Sequence, residues 1–124
     1  MAELEPDTVE LRVPAASNQL RMCRLVATGA ASSAGLDVDG LEDVRIAVDE
    51  LCSVLIEMAG GPSSIRLRLR GSLGIVEVDG ALLPVPEGGG TPLDPISKLV
   101  LDGLDVSWAV DGSTFRLTAP RPQP

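Results

Sequence analysis

Along this chain the spacing of apolar residues switches repeatedly between every second position and every third or fourth, and each switch marks an element. From Thr8 to Val13, Val9, Leu11 and Val13 alternate with Glu10 and Arg12, the period of a strand with one buried face. Pro14 ends that strand and Ser17 is placed to cap the next helix. Met22, Leu25, Val26 and Gly29 then recur at helical spacing, which predicts a helix to about Ala34 with these residues inward and Gly35 as its stop. The other side of that helix carries Leu20, Arg24, Ala27 and Ala31, a small and apolar stripe broken by one arginine, which reads as a docking face for a partner.

The longest periodic stretch is LEDVRIAVDELCSVLIEMAG, Leu41 to Gly60. Leu41, Val44, Val48, Leu51, Leu55 and Met58 share one face of a helix that starts near Asp39 or Gly40 and ends at Gly60-Gly61-Pro62. Asp43, Glu50, Val54 and Glu57 form its flank, where a side chain can line a pocket while tied to a rigid element. Glu50 is the candidate for chemistry. Ile65, Leu67 and Leu69 then alternate with Arg66, Arg68 and Arg70. Beyond Gly71–Gly74, Val76 and Val78 alternate with Glu77, so this region predicts a hairpin.

Gly80 to Pro92, GALLPVPEGGGTP, has neither period and predicts a long loop. Asp94 caps a short helix with Pro95 in its first turn, Ile96, Leu99 and Val100 inward, and Gly103 at its end. Val106, Trp108 and Val110 lead to an Asp111-Gly112 turn followed by Phe115 and Leu117, a second hairpin. The proline-rich tail, residues 120–124, is expected to fray. The order of elements predicts one α+β domain over residues 1–124: a two-layer sandwich of a mixed, mostly antiparallel five-stranded sheet with three helices on one face. Arg12, Arg66, Arg68, Arg70 and Arg116 fall together on the open face, which reads as solvated, because no aromatic interleaves them for base stacking.

Composition narrows the chemistry. A formal net charge of −8 argues against a general nucleic-acid binder, which draws its affinity from phosphate neutralisation. There is no histidine for base catalysis, and two cysteines are too few for a structural zinc site. Cys23 and Cys52 both lie in helical patterns and read as buried thiols of a reducing compartment. An acidic N-terminus and the lack of a run long enough to span a bilayer lead to the expectation of a cytoplasmic protein.

The order of elements and the motif AVDELCSVLIEMAG resemble the RsbW/SpoIIAB anti-sigma factors, serine kinases of the GHKL ATPase superfamily with a histidine-kinase-like fold. The resemblance implies Glu50 as the position of the general base, with Ala47-Val48-Asp49-Glu50 matching the family motif. The asparagine that holds magnesium on ATP in the family is Val54 here, which offers no oxygen. Asp79 and Gly80 stand where the adenine-recognising D-x-G-x-G begins, and Gly88, Gly90 and Thr91 where a glycine-rich motif cradles phosphate. The expectation is a divergent member with no resident cofactor and no metal, at most weak ATP–magnesium binding, and Glu50 as a vestigial base. It would sequester an RNA polymerase sigma factor through Leu20, Arg24, Ala27 and Ala31, with Arg24 at the position of a sigma-contacting arginine. An anti-anti-sigma antagonist of the STAS type would release the sigma factor, and the chain would pair as a homodimer as the family does. The alternative is an active ATP-dependent serine kinase acting on that antagonist.

Overall fold

A computed structural model describes residues 7–88 and 93–123. Strand β1 spans Thr8–Pro14 and is followed by a single 3-10 turn at Ser17–Gln19 and helices α1, Leu20–Ser33, and α2, Val38–Met58. Strands β2, Ser64–Ser72, and β3, Ile75–Leu83, come next, then helix α3, Pro95–Asp102, and strands β4, Ser107–Asp111, and β5, Thr114–Ala119. The strands form one sheet in the order β1-β2-β3-β5-β4, with the helices on one side.

Every strand pairing is antiparallel, where the sequence predicts a mixed sheet. Two helices between β1 and β2 return the chain to the end where β1 finished, so β2 must run the other way. The single helix α3 does bring β4 in parallel to β3. However, β5 takes the place between them, pairing Val78 with Leu117 and Gly80 with Phe115. Both hairpin turns are two residues long: Leu73-Gly74, with φ of 46° and 84°, and Gly112-Ser113, with Gly112 at 59°. Positive φ at both Leu73 and Gly74 matches the twist of a tight hairpin, and it lets β2 and β3 run on past Gly71.

The core lies between α2 and the inner face of the sheet. Val44, Ala47, Val48, Leu51, Cys52 and Leu55 meet Ile65, Leu67, Leu69, Val76, Val78 and Leu117, all essentially without exposure. Asp37 starts α2 by accepting a hydrogen bond from the Gly40 amide at 2.8 Å, satisfying a donor that the first turn leaves free.

Four expectations are corrected. The faces of α1 are exchanged: Cys23, Ala27 and Ala31 are buried, while Met22 and Leu25 are 45% and 56% exposed. Small side chains let the α1 backbone approach α2 and β2 closely, and larger ones at that seam would hold the helices apart. The same close approach puts Gly71 under α1, where an added Cβ would lie 3.0 Å from Ala34 Cβ. Next, β3 continues through the predicted loop to Leu83, because Gly80, Ala81 and Leu82 pair with β2 and β5 or with the Ser113 carbonyl. In α3 only Leu101 is fully buried, and Ile96 and Leu99 are about three-quarters exposed, since this short helix touches the core by its last turn. Finally, the tail is held at Arg121, whose amide donates to Asp105 O at 2.9 Å and whose guanidinium donates to the Leu104 and Val106 carbonyls.

Candidate functional site

The two flanks of α2 differ. On the α1 side Asp49 accepts from Arg24 at 2.6 Å, both side chains about a third exposed, which ties α1 to α2 at the rim of their apolar seam. On the other side Asp43 accepts from the Asp105 amide at 3.3 Å, joining α2 to the chain that leaves α3. Glu50 stands on this second flank, half-buried, with no hydrogen bond or ion pair among the described residues. One turn on, Val54 is buried at 8% exposure and belongs to the core cluster. An apolar group therefore occupies the position beside Glu50 from which a metal-holding oxygen would project.

Of the described residues expected to hold nucleotide, neither Asp79 nor Gly80 offers a contact beside Glu50. Asp79 points from β3 onto the open face of the sheet, where Arg116 donates to it at 3.0 Å, so the whole sheet lies between it and Glu50. The reason is strand parity: Val76, Val78 and Gly80 point inward, which turns Asp79 out. Gly80 does face the helices, but the Phe115 ring fills the space above it. A Cβ there would fall 2.1 Å from Phe115 Cε2. Gly88 sits in an exposed turn with φ of 80°, and Gly90 and Thr91 lie outside the described residues. Among the described residues no three His, Cys, Asp or Glu side chains converge to hold a metal ion.

Of the predicted docking stripe, Ala27 and Ala31 are wholly buried within the fold, Leu20 is partly buried against the core, and Arg24 is partly exposed beside Asp49. The exposed face of α1 instead presents Arg21, Met22 and Leu25. The small residues at Cys23, Ala27 and Ala31, four apart, were the sequence signal for the seam. Asp49 as the partner of Arg24 had no such signal, since nothing local links residues 25 apart.

Cys23 and Cys52 face each other across the α1–α2 seam as free, buried thiols. The hydrogen bond with Cys23, together with burial, pushes the Cys52 thiol well above the ordinary range, while the same bond lowers Cys23. They behave as core residues.

Curated relatives bear on this geometry. The serine-protein kinase RsbW of Halalkalibacterium halodurans is 35% identical over 68 residues, covering 52% of this chain and 42% of that protein. About half of this chain is thus similar to RsbW. The serine-protein kinases RsbW of Bacillus subtilis strain 168 and Bacillus velezensis are 38% and 36% identical over 53 residues, 43% of this chain and 33% of each relative. The RsbW-like stretch thus spans less than half the length of the curated relatives it matches. No family model matches the chain. The five-stranded sheet with three helices agrees with the GHKL-like sandwich that the resemblance implied. No helix among the described residues is long and apolar enough to cross a membrane.

Proposed function

We propose that this protein is an anti-sigma factor that binds and sequesters an RNA polymerase sigma factor without running the family's phosphoryl transfer. The observation that carries this reading is Val54, a buried apolar side chain one turn beyond Glu50. Phosphoryl transfer depends on positioning and on neutralising the charge of the phosphates by a held metal. A valine supplies no ligand for magnesium. The outward turn of Asp79 and the ring over Gly80 add to the same conclusion, because neither the adenine contact nor the open glycine corner of the motif lies beside Glu50. Glu50 is then a vestigial base. Gly88, with Gly90 and Thr91 beyond it, remains a source of backbone amides for weak ATP contact.

On this reading the sigma factor docks on the exposed face of α1, with Met22 and Leu25 as apolar anchors and Arg21 and Arg24 as charged borders. An anti-anti-sigma antagonist of the STAS type releases it, and the working unit is a homodimer in the cytoplasm, a compartment in keeping with two free thiols.

The second reading is an active serine kinase that phosphorylates the antagonist. The name of the relatives, serine-protein kinase, and the retained carboxylate of Glu50 favour it. Calorimetry with ATP and magnesium, label transfer to a purified antagonist, and capture of a sigma factor from native cytosol identified by mass spectrometry separate the two. The expected result is sigma capture with no transfer. Micromolar nucleotide binding with clear transfer by the unmodified protein would overturn the first reading in favour of the second. Gain of nucleotide affinity by Val54→Asn alone would assign the loss to the missing ligand.

A further inference from the structure

The open face of the sheet carries charge that the sigma-factor reading does not use. Glu10, Arg68, Asp79 and Arg116 are successive cross-strand partners, alternate in sign, and pair at 3.0 Å, Arg68 with Glu10 and Arg116 with Asp79. That row is self-neutralised. The adjoining row begins with Arg12 directly opposite Arg66, continues through Ala81 and Thr114, and ends in Asp111. Like charges directly opposite each other destabilise a sheet. Neither arginine has a close counter-charge: Arg66 reaches only Glu10 Oε1, at 3.9 Å, the atom that Arg68 already holds at 3.0 Å. Arg12 makes no ion pair among the described residues, and Asp111 is three strands away from Arg66, about 14 Å by strand spacing. The pair also sits between two hollows. One of about 500 Å³ is lined by Arg66 with small Ala81 and Ala109, its carboxylates Asp79 and Asp111 lying on the far side from Arg12. The other, of about 380 Å³, is lined by Arg12 with Pro14, Ser64, Leu83 and Pro84.

We propose that Arg12 and Arg66 receive a carboxylate from an acidic segment of a partner protein, with an apolar side chain of that segment lying on Pro14, Leu83 and Pro84. Two guanidiniums match a carboxylate's oxygens, and an inserted carboxylate removes the repulsion that the fold otherwise carries. The apolar wall beside the arginines selects a segment that joins a carboxylate to an apolar residue. On a chain of formal net charge −8 this corner is a local positive spot to which such a segment is drawn against the net negative charge of the whole. The surface is distinct from the α1 face, so the inference does not depend on the sigma-factor reading.

The test is a titration of the full chain, followed by amide NMR, with a capped ten-residue peptide of glutamates around a central leucine, at low salt. The control peptide has lysine in place of glutamate. The expected result is salt-sensitive binding of the acidic peptide only, shifts centred on Arg12, Ser64, Arg66 and Ala81, and affinity reduced about tenfold or more in Arg12→Gln with Arg66→Gln. Lys98→Gln, which removes an exposed cation on α3, leaves the affinity unchanged. The double variant loses a repulsive pair, so its melting point stays at or above the wild type, which separates a binding role from a structural one. No binding, shifts on another face, or undiminished affinity in the double variant would overturn the proposal. So would displacement of the peptide by an equal concentration of inorganic phosphate, which would make this a free-anion site. A wild-type dimer that the double variant dissociates would assign the face to a second copy instead.

Discussion

Replacing Gly80 by alanine adds one methyl group at the centre of the sheet. An ideal Cβ at that position lies 2.1 Å from Phe115 Cε2, 2.4 Å from Cζ and 2.7 Å from Cδ2. Carbon atoms in contact settle near 3.5–4.0 Å, so the ring must retreat by more than about 1 Å. It has little room: Phe115 is 3% exposed and sits within the core cluster. Overpacking of this kind costs about 2–3 kcal/mol, and the reduced freedom of the unfolded chain returns about 0.5–1 kcal/mol. The net loss of about 1–2.5 kcal/mol corresponds to a melting point lower by roughly 4–10 °C for a domain of this size. Phe115→Leu alone costs about 1–2 kcal/mol by underfilling the same space. In that background the added methyl meets no ring, so Gly80→Ala becomes neutral or slightly stabilising. The double variant is then more stable than the sum of the singles by at least about 1 kcal/mol. Urea denaturation of the four proteins, read by circular dichroism, measures this coupling. Additive losses would refute the assignment of Gly80 to the ring and return it to the backbone or to a ligand.

Arg24→Glu places two carboxylates together where Arg24 now pairs with Asp49. Because both groups are about a third exposed, the expected loss of stability is only about 1 kcal/mol, with a larger loss of affinity for a captured sigma factor; unchanged affinity by calorimetry would remove Arg24 from the interface. Trp108 is half-buried with its indole N–H donating to Asp102 at 3.0 Å, so native fluorescence is blue-shifted and moves red on unfolding; solvent-like native emission would contradict the register of β4. Cys52 binds its proton more tightly folded than unfolded, because of its bond with Cys23 and its burial, so it contributes stability that is complete below the unfolded thiol pKa of roughly 8.5 and declines as pH rises above it. The melting point is therefore expected to fall less steeply above that pH in Cys52→Ala than in wild type, and parallel curves would rule out a contribution from this thiol. Both thiols should react with a thiol reagent only as fast as the protein opens, and rapid labelling of the native state would show that the α1–α2 seam is not closed.

Much of this molecule is local and therefore readable from one chain. Period-two and period-3.6 patterns identified all five strands and all three helices, because burying one face of an element is a constraint that each element carries in its own residues. The core stripe of α2 and the inward set of Trp108 and Val110 follow from that constraint alone, whereas the pairing of Asp111 with Thr114 moves the expected Asp111-Gly112 turn one residue on, to Gly112-Ser113. The resemblance in AVDELCSVLIEMAG likewise needs only residue identities. Tertiary packing decided the rest. Helix α1 has two apolar stripes, and its own periodicity cannot say which one is buried; the need for close approach to α2 chose Cys23, Ala27 and Ala31 over Met22 and Leu25. Glycine and proline around residues 80–84 read as a loop, yet pairing on both sides made Gly80–Leu83 strand, and strand parity then turned Asp79 away from Glu50. The pairing of Arg24 with Asp49 and the confrontation of Arg12 with Arg66 are products of register between segments far apart in sequence, where no single segment holds the information.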